Sequence, residues 1–157
     1  MVVDAPGGLT GFARLLQESI AILARESPAH LAATRNALGQ TIVRISVAGE
    51  APARLVPGRG HDWVQAAEGP AAVEARLDIA TLFEVLDGAL TVEQAVRGDR
   101  LAISGGVDDL LRGHDALGAW LHGALRCPSF TELLQRMRNQ YAAQLGSQDR
   151  RNLDERK

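Results

Sequence analysis

Between Ala75 and Gly106 the chain carries strand, helix, helix and strand signals in unbroken succession, and no other stretch restricts the fold as tightly. Ala75, Leu77 and Ile79 alternate with Arg76 and Asp78, the two-residue period of a half-buried strand that runs to Ala80. Thr81, with Glu84 three positions on, forms a capping-box pair that satisfies two otherwise unpaired backbone donors, so the spacing predicts a helix from Thr81. Leu82, Phe83, Val85 and Leu86 follow, and Gly88 supplies the left-handed stop. Thr91 and Gln94 repeat the box. A second helix turns Val92, Ala95 and Val96 inward and ends at Gly98, after which Leu101 and Ile103 alternate with Arg100 and Ala102 in a strand closed by Gly105 and Gly106. Capping, patterning and stop signals agree, which marks a real folding unit. The block reads as a crossover between two strands and carries no set of reactive groups.

With 157 residues, 46% of them hydrophobic and 23% charged, the chain can build one globular core. A single domain over 10–145 is expected, with flexible termini at 1–9 and 146–157: Pro6, Gly7 and Gly8 give little to pack, and the stretch after Gly146 is charged and almost free of apolar residues. A net charge of -2 gives no general attraction for nucleic acid, so no nucleic-acid partner is expected. The single cysteine, Cys127, rules out an internal disulfide and a cysteine zinc site and fits a reducing, cytoplasmic setting. The first residues show no basic region followed by an apolar run, so no signal peptide is read, and no window approaches a membrane span.

Thr10 can cap an amphipathic helix whose face runs through Phe12, Leu15, Leu16, Ser19, Ile20 and Leu23, and Ser27 with Pro28 starts a second helix that stops at Gly39. Thr41 to Val47 alternates like a strand rich in β-branched residues. Ala53 to Val56 and His61 to Ala66 pair as a hairpin across Pro57-Gly58-Arg59-Gly60. Val107 to Arg126 is the longest helical pattern, with Leu110, Leu111, His114, Leu117, Leu121 and Leu125 on one stripe and Asp108 and Asp109 in the first turn. Ser129 with Glu132 offers a third capping box before a last helix carrying Leu133, Leu134, Met137, Tyr141 and Leu145.

This order of elements, with Leu86-Asp87-Gly88, Thr91-Val92-Glu93-Gln94-Ala95-Val96, Gly98 and Leu101-Ala102-Ile103-Ser104-Gly105, resembles the sterol carrier protein family of non-specific lipid-transfer domains over roughly Phe12 to Arg126. The resemblance implies an α+β fold: a largely antiparallel five-stranded sheet with helices packed over one face, enclosing an apolar tunnel. It also implies ligands such as fatty acyl chains and sterols, held without covalent chemistry, cofactor or metal. The chain departs from the family where members commonly have Gly-Asp after the last strand; here Gly105-Gly106 stands, with Asp108 close behind.

On this basis Leu77, Ile79, Leu82, Phe83, Leu86, Val92, Val96, Leu101, Ile103, Leu117, Trp120 and Leu121 are the expected lining of an apolar pocket, although the same residues also serve as ordinary core. The first functional expectation is non-covalent binding or transfer of a lipid or other hydrophobic small molecule, with transient membrane contact. The alternative is a ligand-free interaction module, accessory to an isoprenoid or polyketide pathway, that forms a homodimer through its terminal helices. A cofactor-free cyclase or hydrolase using His114 or Asp115 as base ranks last, because neighbouring motifs assemble no nucleophile, base and orienting group, and adjacent helical residues such as His114 and Asp115 do not face each other as a dyad. His114 and His122 are two turns apart and His30 and His61 are isolated, which gives no metal site. Ser104 lacks the G-x-S-x-G frame and Gly58-Arg59-Gly60 lacks G-K-[ST]. Cys127 reads as an ordinary thiol. Arg136, Arg138, Arg150 and Arg151 are diluted by Glu132, Asp149, Asp154 and Glu155 and read as a solvated face and tail.

Overall fold

A computed structural model of the chain describes residues 9, 11–58, 60, 62–66, 69–142 and 155; Thr10, His61, Leu145 and most of the two terminal segments lie outside the described residues. Helix α1 (Gly11–Glu26) buries Phe12, Leu15, Ile20 and Leu23 along the stripe its sequence period sets. Helix α2 (Pro28–Leu38) starts at its proline, but the Ser27 hydroxyl makes no cap bond: its Oγ lies 2.6 Å from His30 Nδ1. The chain continues through β1 (Val43–Val47), β2 (Ala53–Leu55), β3 (Val64–Ala66) and β4 (Val73–Leu77). Helices α3 (Ile79–Leu86) and α4 (Val92–Arg97) lead into β5 (Leu101–Gly105), and α5 (Val107–Ala124) and α6 (Pro128–Gln140) follow.

The strands lie in the order β3-β2-β1-β4-β5. Three neighbouring pairs are antiparallel, but β1 and β4 run parallel, with Val43 opposite Val73 and Val47 opposite Leu77. The sheet is therefore mixed, which corrects the largely antiparallel expectation. The cause is the path after the β2–β3 hairpin: the chain returns to the start of β1, where the amides of Ala72 and Val73 both donate to the Ile42 carbonyl at 2.9 and 3.2 Å. A strand entering there has to run alongside β1 in the same direction, as a long connection permits. The α3–α4 pair then joins adjacent antiparallel strands and is no crossover of a parallel pair.

Strand β4 ends at Leu77, not Ala80. Asp78, not Thr81, caps α3, its carboxylate accepting the Thr81 amide at 2.7 Å. Ile79 accordingly moves from the expected strand into the first turn of α3. Thr81 becomes an interior helical residue, fully buried with an unpartnered hydroxyl, and Glu84 pairs with Arg100. The Thr91–Gln94 box forms in both directions, at 2.9 and 3.1 Å. The third box does not form. At the start of α6 the Ser129 amide donates to Glu26 Oε1 of α1 at 3.2 Å, so a carboxylate from another helix takes the capping role. The hydrogen bonds from Ser129, with Arg25 adding to them, hold the Glu26 carboxyl below the usual carboxylate range.

The stripe expected on α5 also shifts. Leu111 and Leu125 are 59% and 62% exposed, while the buried residues are Ala116, Gly123 and Ala124. Helix α5 packs along α2 through small side chains: a Cβ on Gly123 would stand 2.5 Å from His30 Cβ and 2.6 Å from Leu23 Cδ2. That contact fixes the rotation of α5 and leaves part of its leucine stripe without a partner.

Candidate apolar binding site

Strand register and two-residue alternation place Ala53, Ile45, Ala75 and Ile103 in one row across the sheet, and Val47, Leu77 and Leu101 in the next, all on the helix-facing side. The other side carries Arg44, Arg54, Glu74 and Arg76, with Arg44 paired to Glu74 across the parallel ladder. Helix α1 lies over β2 and β3, whereas the main helical contacts are from α5 at β4 and from α5 and the short α4 at β5. Along the first of these rows the cover thins in the same direction, whereas in the second row Leu101 stays buried. Ala53 is fully buried, Ile45 and Ala75 are half-buried, and Ile103 is 37% exposed.

The elements beside Ile103 leave more apolar surface open. Gly105 carries β5 into α5 with φ 154°, and a Cβ there would stand 2.6 Å from the Ala72 carbonyl oxygen, so only glycine fits. Because α5 gives its small-residue side to α2, Val107 and Leu111, one turn apart, are exposed. On α4, Glu93 Oε1 lies 3.4 Å from His114 Nε2 of α5. Val96 lies one turn after Glu93 and Leu111 one turn before His114, so these two exposed side chains flank the contact. The Glu93 carboxyl is held below its ordinary range, first by its own backbone amide and then by His114. Ile103 on β5, Val96 on α4 and Val107 and Leu111 on α5 make an exposed apolar strip on these three consecutive elements.

The expected lining residues divide between this strip and the core. Ile79, Phe83 and Leu86 are buried in the main core from α3, and Leu82 packs against it. Trp120 stands edge-on to Phe130 of α6 at 5.6 Å and donates its indole N–H to Ser19 Oγ at 3.2 Å, which places it between α1, α5 and α6. Leu121 packs beside that core and Leu117 is half-buried. At the β4–β5 end of the sheet Leu101 is buried, Leu77 packs against the core and Ile103 is exposed, while on α4 Val92 is half-buried and Val96 exposed. Ile45, Ala75, Val107 and Leu111 lie outside the expected lining; the one-turn spacing of Val107 and Leu111 is the sequence signal for the last two.

A concavity elsewhere on the surface is mainly polar in its lining. An open cleft of about 470 Å³ is lined by Gly39, Gln40, Thr41, Ala72, Asp109 and Arg112. Thr41 there donates to Asp109 Oδ1 at 3.3 Å. No Ser, Cys, His or Lys is among its lining residues, and Arg112 lies against Gly39 at the end of α2, where a cation favours the helix C-terminus. His114 Nδ1 does approach Asp115 Oδ1, at 3.6 Å, contrary to the sequence argument. Both side chains are mostly in solvent and the distance exceeds a hydrogen bond. Burial and then Glu26 push the Cys127 thiol upward, and its S–H is given to the Gly123 carbonyl at 3.2 Å. Among the described residues no three His, Cys, Asp or Glu side chains converge on a metal position, and no helix is long and apolar enough to cross a membrane.

No protein-family model and no curated protein matches this sequence. Solved structures do. One described as "UbiJ-SCP2 Ubiquinone synthesis protein" is 22% identical with a TM-score of 0.51, over 71% of this chain and 96% of its own. A crystal structure of sterol carrier protein 2 gives 19% identity and a TM-score of 0.50, over 73% and 95%. A conserved hypothetical protein from Thermus Thermophilus, described as possibly sterol carrier protein, gives 19% and 0.50, over 74% and 89%. The helical pair between β4 and β5, the five-stranded mixed sheet and these likenesses converge on one conclusion: the chain has the α+β fold of the sterol carrier protein domains.

Proposed function

We propose that the chain binds a lipid or another hydrophobic small molecule non-covalently along the apolar strip where β4 and β5 meet α4 and α5. The observation that carries this reading is the loss of cover along one sheet row, from a fully buried Ala53 to Ile103 at 37% exposure, beside exposed Val96, Val107 and Leu111. Apolar area left open on a sheet face is what an aliphatic guest would fill. At about 0.8 kcal/mol per buried CH₂, a chain of about ten methylenes gains roughly 8 kcal/mol before ordering costs are subtracted, enough for useful affinity without any polar anchor. Leu77, Val92, Val96, Leu101 and Ile103 would contribute from the expected lining, joined by Ile45, Ala75, Val107 and Leu111. The likeness to a structure described as a ubiquinone synthesis protein favours a second reading, an accessory module of an isoprenoid pathway, which the same strip would serve by holding a prenyl chain.

Titration with a fluorescent fatty acid tests the site. Val107→Asp combined with Leu111→Asp places charge on the strip at positions that are 74% and 59% exposed, so folding stability changes by no more than about 0.5 kcal/mol at each. Binding weakens by at least about tenfold, the equivalent of ~1.4 kcal/mol. A doubly substituted protein that binds as tightly as the parent places the guest elsewhere.

A further inference from the structure

The two edges of the sheet are treated differently. At the β3 edge the amides of Trp63 and Val64 both donate to Gln17 Oε1 of α1, at 3.1 and 3.0 Å, so a side chain covers the strand. At the β5 edge nothing equivalent exists among the described residues: Leu101 to Gly105 make no backbone hydrogen bond outside the ladder to β4. That strand, Leu-Ala-Ile-Ser-Gly, has none of the usual protections of an open edge. It carries no charge and no proline, and its ladder runs without a bulge from Leu77–Leu101 to Val73–Gly105. Ala102, Ser104 and Gly105 are exposed, with Ile103 half-covered at the centre.

We propose that β5 pairs antiparallel with β5 of a second copy of this chain, about a two-fold axis at Ile103. The sign of the flanking charge and the uncovered strand favour this occupant. In an antiparallel pair centred on Ile103, the residues preceding the strand in one copy approach those following it in the other. Arg97, Asp99 and Arg100 precede it, two cations to one carboxylate, and Asp108 and Asp109 follow it; Arg100 is paired with Glu84 and Asp109 accepts from Thr41. Arg97 and Asp108 are both exposed and neither has an ion-pair partner among the described residues. The two-fold makes this cation-to-carboxylate approach twice, as an isologous interface requires. It also sets the two Ile103 side chains side by side on the apolar face, extending that row from one sheet into the next. The terminal helices are poorer candidates for self-association, because α1 and α6 hold each other through Arg136 and Glu18 at 3.0 Å and through Glu26 and the Ser129 amide.

Sedimentation velocity of the full chain over a concentration series tests the proposal. The parent protein sediments as a reversible dimer. Ile103→Lys, which sets two like charges across the axis, raises the dissociation constant by at least about tenfold. Arg97→Asp and Asp108→Arg each weaken the dimer, and the two exchanges combined return it to within about threefold of the parent, which a merely structural role for either residue would not do. A parent protein that is monomeric throughout, a dimer indifferent to Ile103→Lys, or a double exchange no stronger than the single ones overturns the proposal.

Discussion

Trp63→Ala lowers the free energy of unfolding by about 3–5 kcal/mol, the range for removing a buried aromatic from a packed core. Trp63 is fully buried at the point where the hairpin meets the helices. The Arg35 guanidinium of α2 stands over its ring at 5.1 Å, and its indole N–H donates to the Gly60 carbonyl at 3.0 Å. Its own backbone is held from both sides, the amide by Gln17 of α1 and the carbonyl by the Val56 amide at 2.7 Å. Those backbone bonds survive the substitution, so the loss comes from the cavity and from the stacked cation. Against a typical total of about 5–15 kcal/mol, this is a large fraction. Urea unfolding gives the answer: a midpoint shift at unchanged slope is expected, and a loss below about 1 kcal/mol would mean that the hairpin is not packed on α1 and α2 as described.

Gly123→Ala destabilises the protein by about 2 kcal/mol, although helix propensity alone predicts a gain of about 1 kcal/mol. The added methyl would meet His30 Cβ at 2.5 Å and Leu23 Cδ2 at 2.6 Å. The first of these is fixed to the backbone of α2, so the helices have to separate, and overpacking of this kind costs about 1–3 kcal/mol. Gly118→Ala on the same helix is the control. Nothing lies within 4 Å of a Cβ there, so the propensity gain of up to about 1 kcal/mol is realised. Opposite signs for two identical substitutions in one helix, read by thermal or urea unfolding, establish the close α2–α5 contact. Equal signs refute it.

That contact explains where the sequence was legible and where it was not. Local signals held: the Thr91–Gln94 box, the stops after α3 and α4, the hairpin across Pro57 and Gly58, and the alternation of β1 each depend on neighbours in sequence. Signals that depend on distant partners misled. Ser129 looked like a cap, but Glu26 of α1 reached its amide first; the Thr81 reading is the local exception, since Asp78, three residues earlier, is itself the cap. The parallel β1–β4 pairing follows from where the chain re-enters the sheet, at Ile42, which no local pattern records. On α5 the leucines promised the buried stripe, while Ala116, Gly123 and Ala124 took it, because close helix approach rewards small residues. The candidate site is the by-product of that rotation: Leu111 belongs to the leucine stripe by period and stands in solvent by packing.

Binding of a greasy guest at the exposed apolar strip is open to direct measurement. Native mass spectrometry of freshly and gently purified protein, followed by organic extraction, tests it most directly. The expected result is a chain carrying one or more apolar small molecules that the solvent releases, with occupancy falling sharply when Val107 and Leu111 are both replaced by Asp. A bare chain that also takes up none of an added long-chain fatty acid would contradict it.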